Sequence, residues 1–375
     1  MLALTQTLFW IASAAILYTF LGYPLLIGLL ARLIPRPVRR ADVTPSVSLI
    51  IPAFNEAEVI SDKLLNSLGL DYPPDCMEVV VITDGSDDET VDIVSGFVER
   101  GVRLFHQTQR RGKAAAINRV VPLVGGAIVV FSDANTLLRG NALRALVRAF
   151  ADERVGGVSG EKQVEGGGEG LYWRYESYLK RCDSAVSSVM GAAGEFFAVR
   201  RGLFRPTEED SLIEDFILSL RLVEDGWRVV YESEAVATED ASPSLAGDWR
   251  RRTRIAAGGF QAIGRLRGLL SPRHGLVAWQ YCSHRVQRWA ITPFMIPLAY
   301  LTSLGMAALP FYRFAFLLQT LFYAGALLGY GQTLLGRRSG PLQAVFYFFF
   351  ANGAALAGFW RYLMGTQPVT WDKAR

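Results

Sequence analysis

A long apolar run near the N-terminus constrains the fold of this chain more than any other feature. Residues 8–33 carry a single charged side chain, Arg32, and exceed the roughly 20 residues that a helix needs to cross a bilayer. A secretory signal would place positive charge before a shorter run, whereas three further arginines follow this one. We therefore predict a transmembrane helix in residues 1–34, with the N-terminus outside and the following chain in the cytoplasm.

Three more apolar runs close the chain of 375 residues, of which 51% are hydrophobic. They lie at about 290–309, 314–335 and 342–360 and define a membrane region over residues 280–364. Three crossings would put the C-terminus outside, and the basic residues at the C-terminal end would then violate the positive-inside rule. Two crossings, with one run lying flat or re-entering, are the alternative, so we expect two to three C-terminal transmembrane helices.

Between these membrane segments, short β-branched runs alternate with helix-length amphipathic stretches. This alternation predicts an α/β domain over residues 45–265, with a parallel sheet covered by helices on both faces. The glycine-rich stretch at 164–170 is typical of a loop. The predicted strands cover 47–52, 78–84, 102–106 and 127–133, and the predicted helices lie near 57–69, 88–100, 112–121 and 140–150.

Polar side chains follow most of these strands. The four strand ends read "PAFNE", "DGSDDET", "HQTQRRGK" and "DANT", and two of them begin with an acid, Asp84 or Asp133. In such sheets, ligands bind outside the carboxyl ends of the strands. Helix capping explains Asp87 and Asp88 well but Asp84 less easily, so we expect Asp84 to meet the N–H donors of a nucleobase.

Charged residues at two predicted helix starts are the next candidates. Gly112 and Lys113 combine backbone N–H groups with an ammonium, which suits a diphosphate, although the Walker spacing is absent. Glu214 and Asp215 lie in the first turn of another helix, where carboxylates favour the helix dipole. Capping and general-base catalysis are both consistent with this acidic pair, and the sequence chemistry alone leaves the choice open.

The charge and the cysteine content argue against nucleic-acid binding and against a metal site built from cysteines. The net charge of +4 is mild, and the sequence contains no nucleic-acid-binding motif. The basic stretch "WRRRTR" at 249–254 is consistent with a lipid-facing surface or with a substrate role, and Trp289 beside a membrane run is typical of an interfacial anchor. The three cysteines lack metal-ligand spacing, so we expect free thiols.

Six ordered motifs together resemble one known family. They read "VSLIIPAFNE", "DGSDDET", "RGKAAAIN", "FSDANT", "IEDF" and "RRTRI". In this order and spacing they resemble the membrane-bound family 2 glycosyltransferases, which include cellulose, chitin, hyaluronan and poly-N-acetylglucosamine synthases. The resemblance covers about residues 45–260, and the flanking apolar segments are similar to the same membrane architecture.

This resemblance implies a cytoplasmic GT-A domain, a Rossmann-like sheet that binds a UDP-sugar at its strand ends. Asp215 matches the family's catalytic base. Asp133 and Asn135 occupy the "DxD" place, which in the family meets the ribose and a Mg or Mn ion. Gly194 and Arg251 are implied on the acceptor side. The implied nucleotide-sugar site comprises Pro52, Ala53, Asn55, Glu56, Asp84, Lys113, Asp133 and Arg254.

Two positions depart from the family pattern. The "QxxRW" motif appears as residues 251–255, in which Arg254 keeps the cation while Arg251 and Ile255 replace the Gln and the Trp. The missing Trp removes the aromatic platform on which a long acceptor chain would stack. Asn135 offers an oxygen ligand without charge, so we expect metal dependence to persist, with the diphosphate and Asp133 supplying much of the ligation.

The leading hypothesis is an inverting, metal-dependent glycosyltransferase of the inner membrane that uses a UDP-sugar in exopolysaccharide or surface-glycan synthesis. Its expected partners are a lipid or glycan acceptor and polysaccharide-export proteins, and nucleic acid is not among them. One alternative is transfer of a single sugar to a lipid, such as a polyprenyl phosphate or a ceramide-like acceptor. Another is a non-catalytic membrane protein that senses a nucleotide sugar.

Overall fold

The computed structural model describes residues 1–165, 170–240, 244–337 and 340–370. Most of the predicted glycine-rich loop, residues 166–169, lies outside these ranges. The strands are β1 (Val47–Ala53), β2 (Met77–Asp84), β3 (Val102–Gln107), β4 (Ile128–Phe131), β5 (Leu137–Leu138), β6 (Val155–Glu165), β7 (Phe197–Arg200) and β8 (Arg228–Asp240). The four strands predicted from the sequence are confirmed as β1 to β4.

The N-terminal apolar run forms one continuous helix, in which α1 passes through a π-helical segment, Tyr18–Gly22, into α2. A second π-helical segment, Cys282–Ile291, joins α10 to α11. The α-helices in the described residues are α1 (Leu2–Leu17), α2 (Tyr23–Leu33), α3 (Ile60–Leu68), α4 (Thr90–Ser95), α5 (Lys113–Val120), α6 (Ala142–Val147), α7 (Gly170–Val186), α8 (Glu214–Glu224), α9 (Leu245–Arg265), α10 (Leu276–Tyr281), α11 (Thr292–Gly305), α12 (Pro310–Leu334) and α13 (Pro341–Leu363).

The strands form one sheet in the order β3-β2-β1-β4-β7-β6-β8-β5. Strands β1 to β4 are mutually parallel, as predicted. The prediction of a parallel sheet is wrong for two of the other four strands, because β7 is antiparallel to β4 and β6, and β5 is antiparallel to β8, whereas β6 and β8 pair in parallel. A parallel neighbour requires a crossover that returns the chain to the same end of the sheet, whereas the chain enters β7 from the opposite end.

Apolar side chains on both faces of the sheet explain why it is a buried layer. All seven residues of β1 are buried, as expected for a strand covered by helices on both sides. One face packs against α3 and α6, and the other packs against α5, α8 and the C-terminal part of α9. The carboxyl ends of β1, β2 and β4 therefore lie at one edge of a fixed layer.

In the part of the chain that the structure describes, three helices are long and apolar enough to cross a membrane, namely Leu2–Leu33, Pro310–Leu334 and Pro341–Leu363. The predicted run at 290–309 is not among them, because α11 has 14 residues, fewer than the roughly 20 that a crossing requires, and the π-helical segment before it carries Arg285 and Arg288. Helix α13 also packs along α9 of the α/β domain, with Phe359 against Phe260 and Phe350 against Trp249. The three cysteines are free, as predicted.

Candidate active site

Hydrogen bonds between the ends of β1 and β2 fix the first wall of the candidate site. Asn55 has a positive φ of 54°, and its side-chain oxygen accepts from the Asp87 amide at 2.9 Å. The Asn55 backbone N–H donates to Ser86 Oγ at 3.1 Å, and the Glu56 backbone N–H donates to Thr90 Oγ1 at 2.8 Å. Pro52 and Ala53 lie buried at the end of β1 directly before this wall.

Asp84 holds the loop that leads into α5. Its side chain is buried, and its Oδ2 accepts from the Arg111 amide at 3.0 Å and from the Gly112 amide at 2.6 Å. Gly112 has a φ of 97°, a conformation that glycine adopts without strain. Asp84 therefore fixes the start of the Lys113 helix, and its contact with a nucleobase stays a prediction. Asp88 lies one residue before Glu89, the N-cap of α4, and accepts from the Thr90 backbone N–H at 3.0 Å.

Lys113 joins the ends of three separate segments. Its Nζ lies 2.8 Å from Asp133 Oδ1 after β4 and 3.1 Å from Glu214 Oε1 at the start of α8. Burial lowers the pKa of the Lys113 ammonium, but the carboxylates of Asp133, Glu214 and Asp215 outweigh burial and raise the pKa well above its ordinary value. Lys113 is therefore a permanent positive charge between these acids.

Asp215 stands beside this ammonium with an altered acidity. Burial and the neighbouring Glu214 carboxylate raise the pKa of Asp215 to about 7, while Lys113 acts in the opposite direction. Gly194 approaches the same point, because a Cβ at this glycine would lie 3.0 Å from Lys113 Nζ and 3.1 Å from Asp215 Oδ2. A carboxylate that titrates near neutral pH suits a general base.

The two arginines predicted on α9 lie in different surroundings. Burial lowers the pKa of the Arg254 guanidinium, and the charges of Glu214, Asp215 and Asp133 oppose this effect, so Arg254 faces the acidic site. Arg251 instead belongs to an ion-pair network, with Glu239 at 3.7 Å and Asp248 at 3.4 Å. Arg254 is thus the second cation near Asp215.

Asp133 and Asn135, the residues predicted to bind a divalent metal, lie in one turn after β4. The Asp133 side chain is one-third exposed, and Asn135 is half-buried in the same turn. Within the described ranges no cluster of three or more His, Cys, Asp or Glu residues could hold a metal. One carboxylate and one amide fit Mg or Mn when substrate phosphates complete the ligand shell, which is how Mg is usually held in phosphate-transfer sites.

Sequence reasoning missed Lys63, whose side chain holds the turn that carries Asp133 and Asn135. The side chain is fully buried, and its Nζ donates to Ser132 Oγ at 2.7 Å and to the Thr136 carbonyl at 2.6 Å. Burial lowers the pKa of Lys63 to about 7, against the charge of Asp133. The available signal was the position of this lysine on the apolar face of α3, beside buried Ile60 and Leu64.

A second missed group flanks Gly194. Glu195 forms a salt bridge with Lys162, whose Nζ also lies 2.5 Å from Glu239. Burial raises the pKa of Glu195, but the Lys162 charge outweighs it and brings the pKa to about 2. This ionised pair fixes the end of the loop that carries Gly194. The sequence held no sign of it, because the partners come from distant strands and loops.

Known proteins share this domain. The sequence profile described as Glycosyltransferase like family 2 matches residues 45–258. The poly-beta-1,6-N-acetyl-D-glucosamine synthase of Staphylococcus aureus (strain COL) is 26% identical over 240 residues, which cover 61% of this chain and 58% of that protein. The probable glycosyltransferase YdaM of Bacillus subtilis (strain 168) is 28% identical over 244 residues, 60% of this chain and 58% of that protein. The chain thus matches less than two thirds of the length of these relatives.

A solved structure extends the similarity to nearly the whole chain. The mannosyltransferase PcManGT from Pyrobaculum calidifontis, described in complex with GDP-Man and Mn2+, superposes with a TM-score of 0.74 and 27% identity. The superposition covers 96% of this chain and 99% of that one. Together with the profile match over more than half of the sequence, it means that this chain belongs to glycosyltransferase family 2 and has the GT-A fold.

Proposed function

We propose that this protein transfers a hexose from a UDP-sugar to a hydroxyl group, with inversion at the anomeric carbon and with a divalent metal. The observation that carries the proposal is the convergence of Asp215, Lys113 and Asp133 at one edge of the sheet. This arrangement supports the proposal because a carboxyl group with a pKa of about 7 and a fixed ammonium lie near the Asp133 carboxylate. One site can thereby support both deprotonation of the acceptor hydroxyl and departure of the diphosphate.

In the proposed reaction, Asp215 removes the proton of the acceptor hydroxyl. The hydroxyl oxygen forms a bond to the anomeric carbon while the bond from that carbon to the diphosphate oxygen breaks. The proton remains on Asp215 and the nucleoside diphosphate leaves. A pKa of about 7 makes Asp215 partly ionised at neutral pH, so it can both accept this proton and release it after turnover.

Two cations support departure of the diphosphate. Lys113 and Arg254 are held near the acids by burial and ion pairing, so they supply positive charge without reorganisation when the leaving group becomes negative. Asp133 and Asn135 would hold the metal, which when bound adds positive charge at the diphosphate. Lys113 contacts Asp133 in this structure, so donor binding would place the ammonium between the phosphate and the Asp133 carboxylate.

The relatives support a nucleotide-sugar donor but differ in which one they name. The similar solved enzyme is described with GDP-Man and Mn2+, whereas the staphylococcal relative is named as a synthase of an N-acetylglucosamine polymer. We infer a UDP-sugar from the motif resemblance and treat a GDP-sugar as the alternative outcome of the donor test. The acceptor classes are a growing glycan in exopolysaccharide or surface-glycan synthesis, and a lipid.

We also propose a multi-pass protein of the inner membrane with its catalytic domain in the cytoplasm. Tyr362 at the end of α13 stacks on Phe260 of α9, and a Cβ at Gly112 would lie 3.5 Å from Val369. The chain after α13 therefore lies on the same side as the catalytic domain, which favours an even number of crossings after α9. This topology agrees with basic residues at the C-terminal end being cytoplasmic.

Mass analysis of products tests the function. Full-length protein in nanodiscs is incubated with Mn2+ and UDP-glucose, UDP-N-acetylglucosamine or GDP-mannose, together with an N-acetylglucosamine oligosaccharide, a polyprenyl phosphate or a ceramide. We expect product with a UDP-sugar, and absence of turnover with every pair would refute the proposal. A ladder of masses indicates a polymer synthase, and a single added hexose indicates the lipid enzyme.

The variant Asp215→Asn tests the assignment of the base. We expect transfer to fall on the order of 10²–10⁴-fold, because the amide cannot accept the proton, while UDP binding measured by calorimetry is nearly unchanged. Asp225→Asn is the matched control, since Asp225 lies at the other end of α8 and pairs with Arg205. Transfer retained by Asp215→Asn would assign the base to another residue.

A further inference from the structure

Three separate parts of the chain meet in one buried charged cluster beneath the site. Asp183 on α7 is fully buried, accepts a hydrogen bond from the Tyr23 hydroxyl of α2, and lies 2.6 Å from His284 Nδ1. His284 belongs to the π-helical segment that precedes α11. Buried charges without partners are costly, so these contacts fix α7 against both the N-terminal membrane helix and the segment that precedes the C-terminal helices.

A second acid of α7 extends the cluster towards two arginines. Glu176 is buried on the same face of α7, two turns before Asp183, and forms a salt bridge with Arg288, while Arg285 Nη1 lies 3.9 Å from Glu176 Oε2. Burial raises the pKa of Glu176, but the arginines and His284 outweigh it and lower the pKa well below its ordinary value. The cluster therefore keeps Glu176 charged, and it pairs both acids of α7 with groups from other segments.

Arg285 also reaches the wall of the candidate active site. Its Nε donates to the carbonyl of Met190, and its guanidinium lies 5.6 Å from the centre of the Phe216 ring. Met190 lies in residues 187–196, which we call the acceptor-side loop because this segment carries Gly194. Phe216 directly follows Asp215 in the chain. One guanidinium thus contacts the loop and the helix that together bear the acceptor side.

The loop and the helix are themselves in tight contact at this point. Gly191 has a φ of 98°, and a Cβ at this position would clash with the Phe216 ring. The Ala192 amide donates to Ser219 Oγ of α8 at 2.9 Å. A movement of the Met190 carbonyl would therefore be transmitted to Gly194 and to Asp215, because packed groups of this kind shift together.

We propose that Arg285 is a positioning residue for the transfer step. Arg285 holds the acceptor-side loop in a fixed position relative to the membrane helices. The inference rests on the proposed function, since it takes Asp215 as the base. Arg285 acts through the Met190 carbonyl and Phe216 and touches no substrate. The catalytic geometry depends on the contacts that Arg285 itself makes with the Met190 carbonyl and the Phe216 ring, and not on the salt bridge between Arg288 and Glu176.

The donor side is held by other contacts, which gives the proposal a specific signature. Asn55 with Asp87, and Asp84 with the Gly112 amide, fix the donor wall without any member of the cluster. Loss of the Arg285 clamp should therefore leave donor affinity unchanged. A displaced acceptor loop should instead favour water over the acceptor, so that donor hydrolysis gains at the expense of transfer.

The test uses full-length protein in nanodiscs with the donor and acceptor pair that gives product in the panel above. Arg285→Gln removes the clamp, Arg285→Lys keeps the charge, and Arg288→Gln is the matched control because Arg288 reaches Glu176 and the Tyr175 ring on α7. We measure the ratio of transfer to UDP-sugar hydrolysis, the donor KM, and hydrogen exchange of the amides in residues 187–196.

For Arg285→Gln we expect the ratio of transfer to hydrolysis to fall about tenfold or more, with a donor KM within about twofold of the unmodified protein. Exchange in the acceptor-side loop should become faster. Arg285→Lys should recover part of the ratio, since an ammonium reaches the carbonyl but lacks the planar stacking group. Arg288→Gln should preserve both the ratio and the protection of the loop.

An equal fall in the ratio of transfer to hydrolysis in Arg285→Gln and Arg288→Gln would overturn the proposal. An unchanged ratio, or a raised donor KM, in Arg285→Gln would also overturn it. If Arg285→Gln fails to fold, the lysine variant decides, because it must then show the lowered ratio at normal donor KM. Absence of transfer in the unmodified protein would refute the proposed function instead. Hydrogen exchange would still decide, in that case, whether Arg285 holds the loop.

Discussion

The proposed donor side and the proposed acceptor side of the candidate active site are built in different ways. The donor side consists of loops that follow neighbouring parallel strands, and it is fixed by short links such as Asp84 with the Gly112 amide. The acceptor side brings together the loop before β7, the first turn of α8 and the middle of α9, with Arg285 beneath them. The sheet and short links at its edge therefore set the donor geometry, whereas packing between helices and the segments next to the membrane helices set the acceptor geometry.

This difference predicts which variants separate donor binding from transfer. Lys113 is the exception, because its ammonium contacts Asp133 on the donor side and Glu214 on the acceptor side. Substitutions on one side should change one kinetic parameter. Substitution of Lys113 should change both, which makes it the most severe test of the comparison.

Lys113→Gln should have the largest effect. Loss of the ammonium removes charge that stabilises the leaving diphosphate, so kcat should fall on the order of 10²–10³-fold, and the donor KM should rise as well. Steady-state kinetics of UDP release measure both. Arg111→Gln is the matched control, since Arg111 pairs with Glu209 at the surface. A change in kcat alone would mean that Lys113 contributes nothing to donor binding.

Gly194→Ala should affect only transfer. The new Cβ would lie 3.0 Å from Lys113 Nζ and 3.1 Å from Asp215 Oδ2, so these groups must move by a few tenths of an ångström. We expect kcat to fall by about 10- to 100-fold, because small displacements of reacting groups are costly.

Gly202→Ala is the control for Gly194→Ala, since a Cβ there meets nothing within 4 Å. UDP affinity measured by calorimetry should match the unmodified protein in both variants. Weaker UDP binding in Gly194→Ala would show that the donor side extends to this loop and would remove the distinction between the two sides.

The donor side was the more predictable of the two from the sequence. A polar residue directly after a buried strand is a local signal, and it identified Asp84 and Asp133 as residues at the edge of the sheet. Lys63 was missed because its partners, Ser132 and the Thr136 carbonyl, are distant in sequence. The reversed direction of β5 and β7 was missed for a related reason, since strand direction depends on long-range return of the chain.

The acceptor side was less predictable because its residues have acceptable local explanations. Capping explains Glu214 and Asp215 in the first turn of a helix as well as catalysis does. Among the structural observations, their burial beside Lys113 is what favours catalysis. Trp289 was interpreted as an interfacial anchor. Its ring instead packs 5.1 Å from that of Phe216, and a Cβ at Gly259 would clash with it. Tertiary packing therefore supplied what the local pattern could not.

Asn135→Asp sharpens the donor side with a smaller effect. A second carboxylate adds negative charge to the metal ligands, so the affinity for Mn2+ in the presence of UDP should increase on the order of tenfold. Titration of Mn2+ by calorimetry measures this directly. Asn141→Asp, at the start of α6, controls for the added charge. An unchanged Mn2+ affinity would show that Asn135 is not a ligand.

Glu214→Gln should produce the smallest change and acts only on the acidity of the base. The Glu214 carboxylate raises the pKa of Asp215, so its removal should lower that pKa from about 7 and keep Asp215 ionised in more acidic solution. Because only ionised Asp215 accepts a proton, kcat/KM falls as pH drops below the pKa. We expect this acidic limb to move to lower pH by up to about one unit.

Glu224→Gln, at the far end of α8, is the control and should leave the pH profile of kcat/KM unchanged. Glu214 also pairs with Lys113, so its loss frees that ammonium to act on Asp215 in the same direction. Both consequences of the substitution lower the pKa, and neither can raise it. A limb that stays in place or moves to higher pH would therefore mean that the group titrating in kcat/KM is not Asp215, and the acceptor side would need a different base.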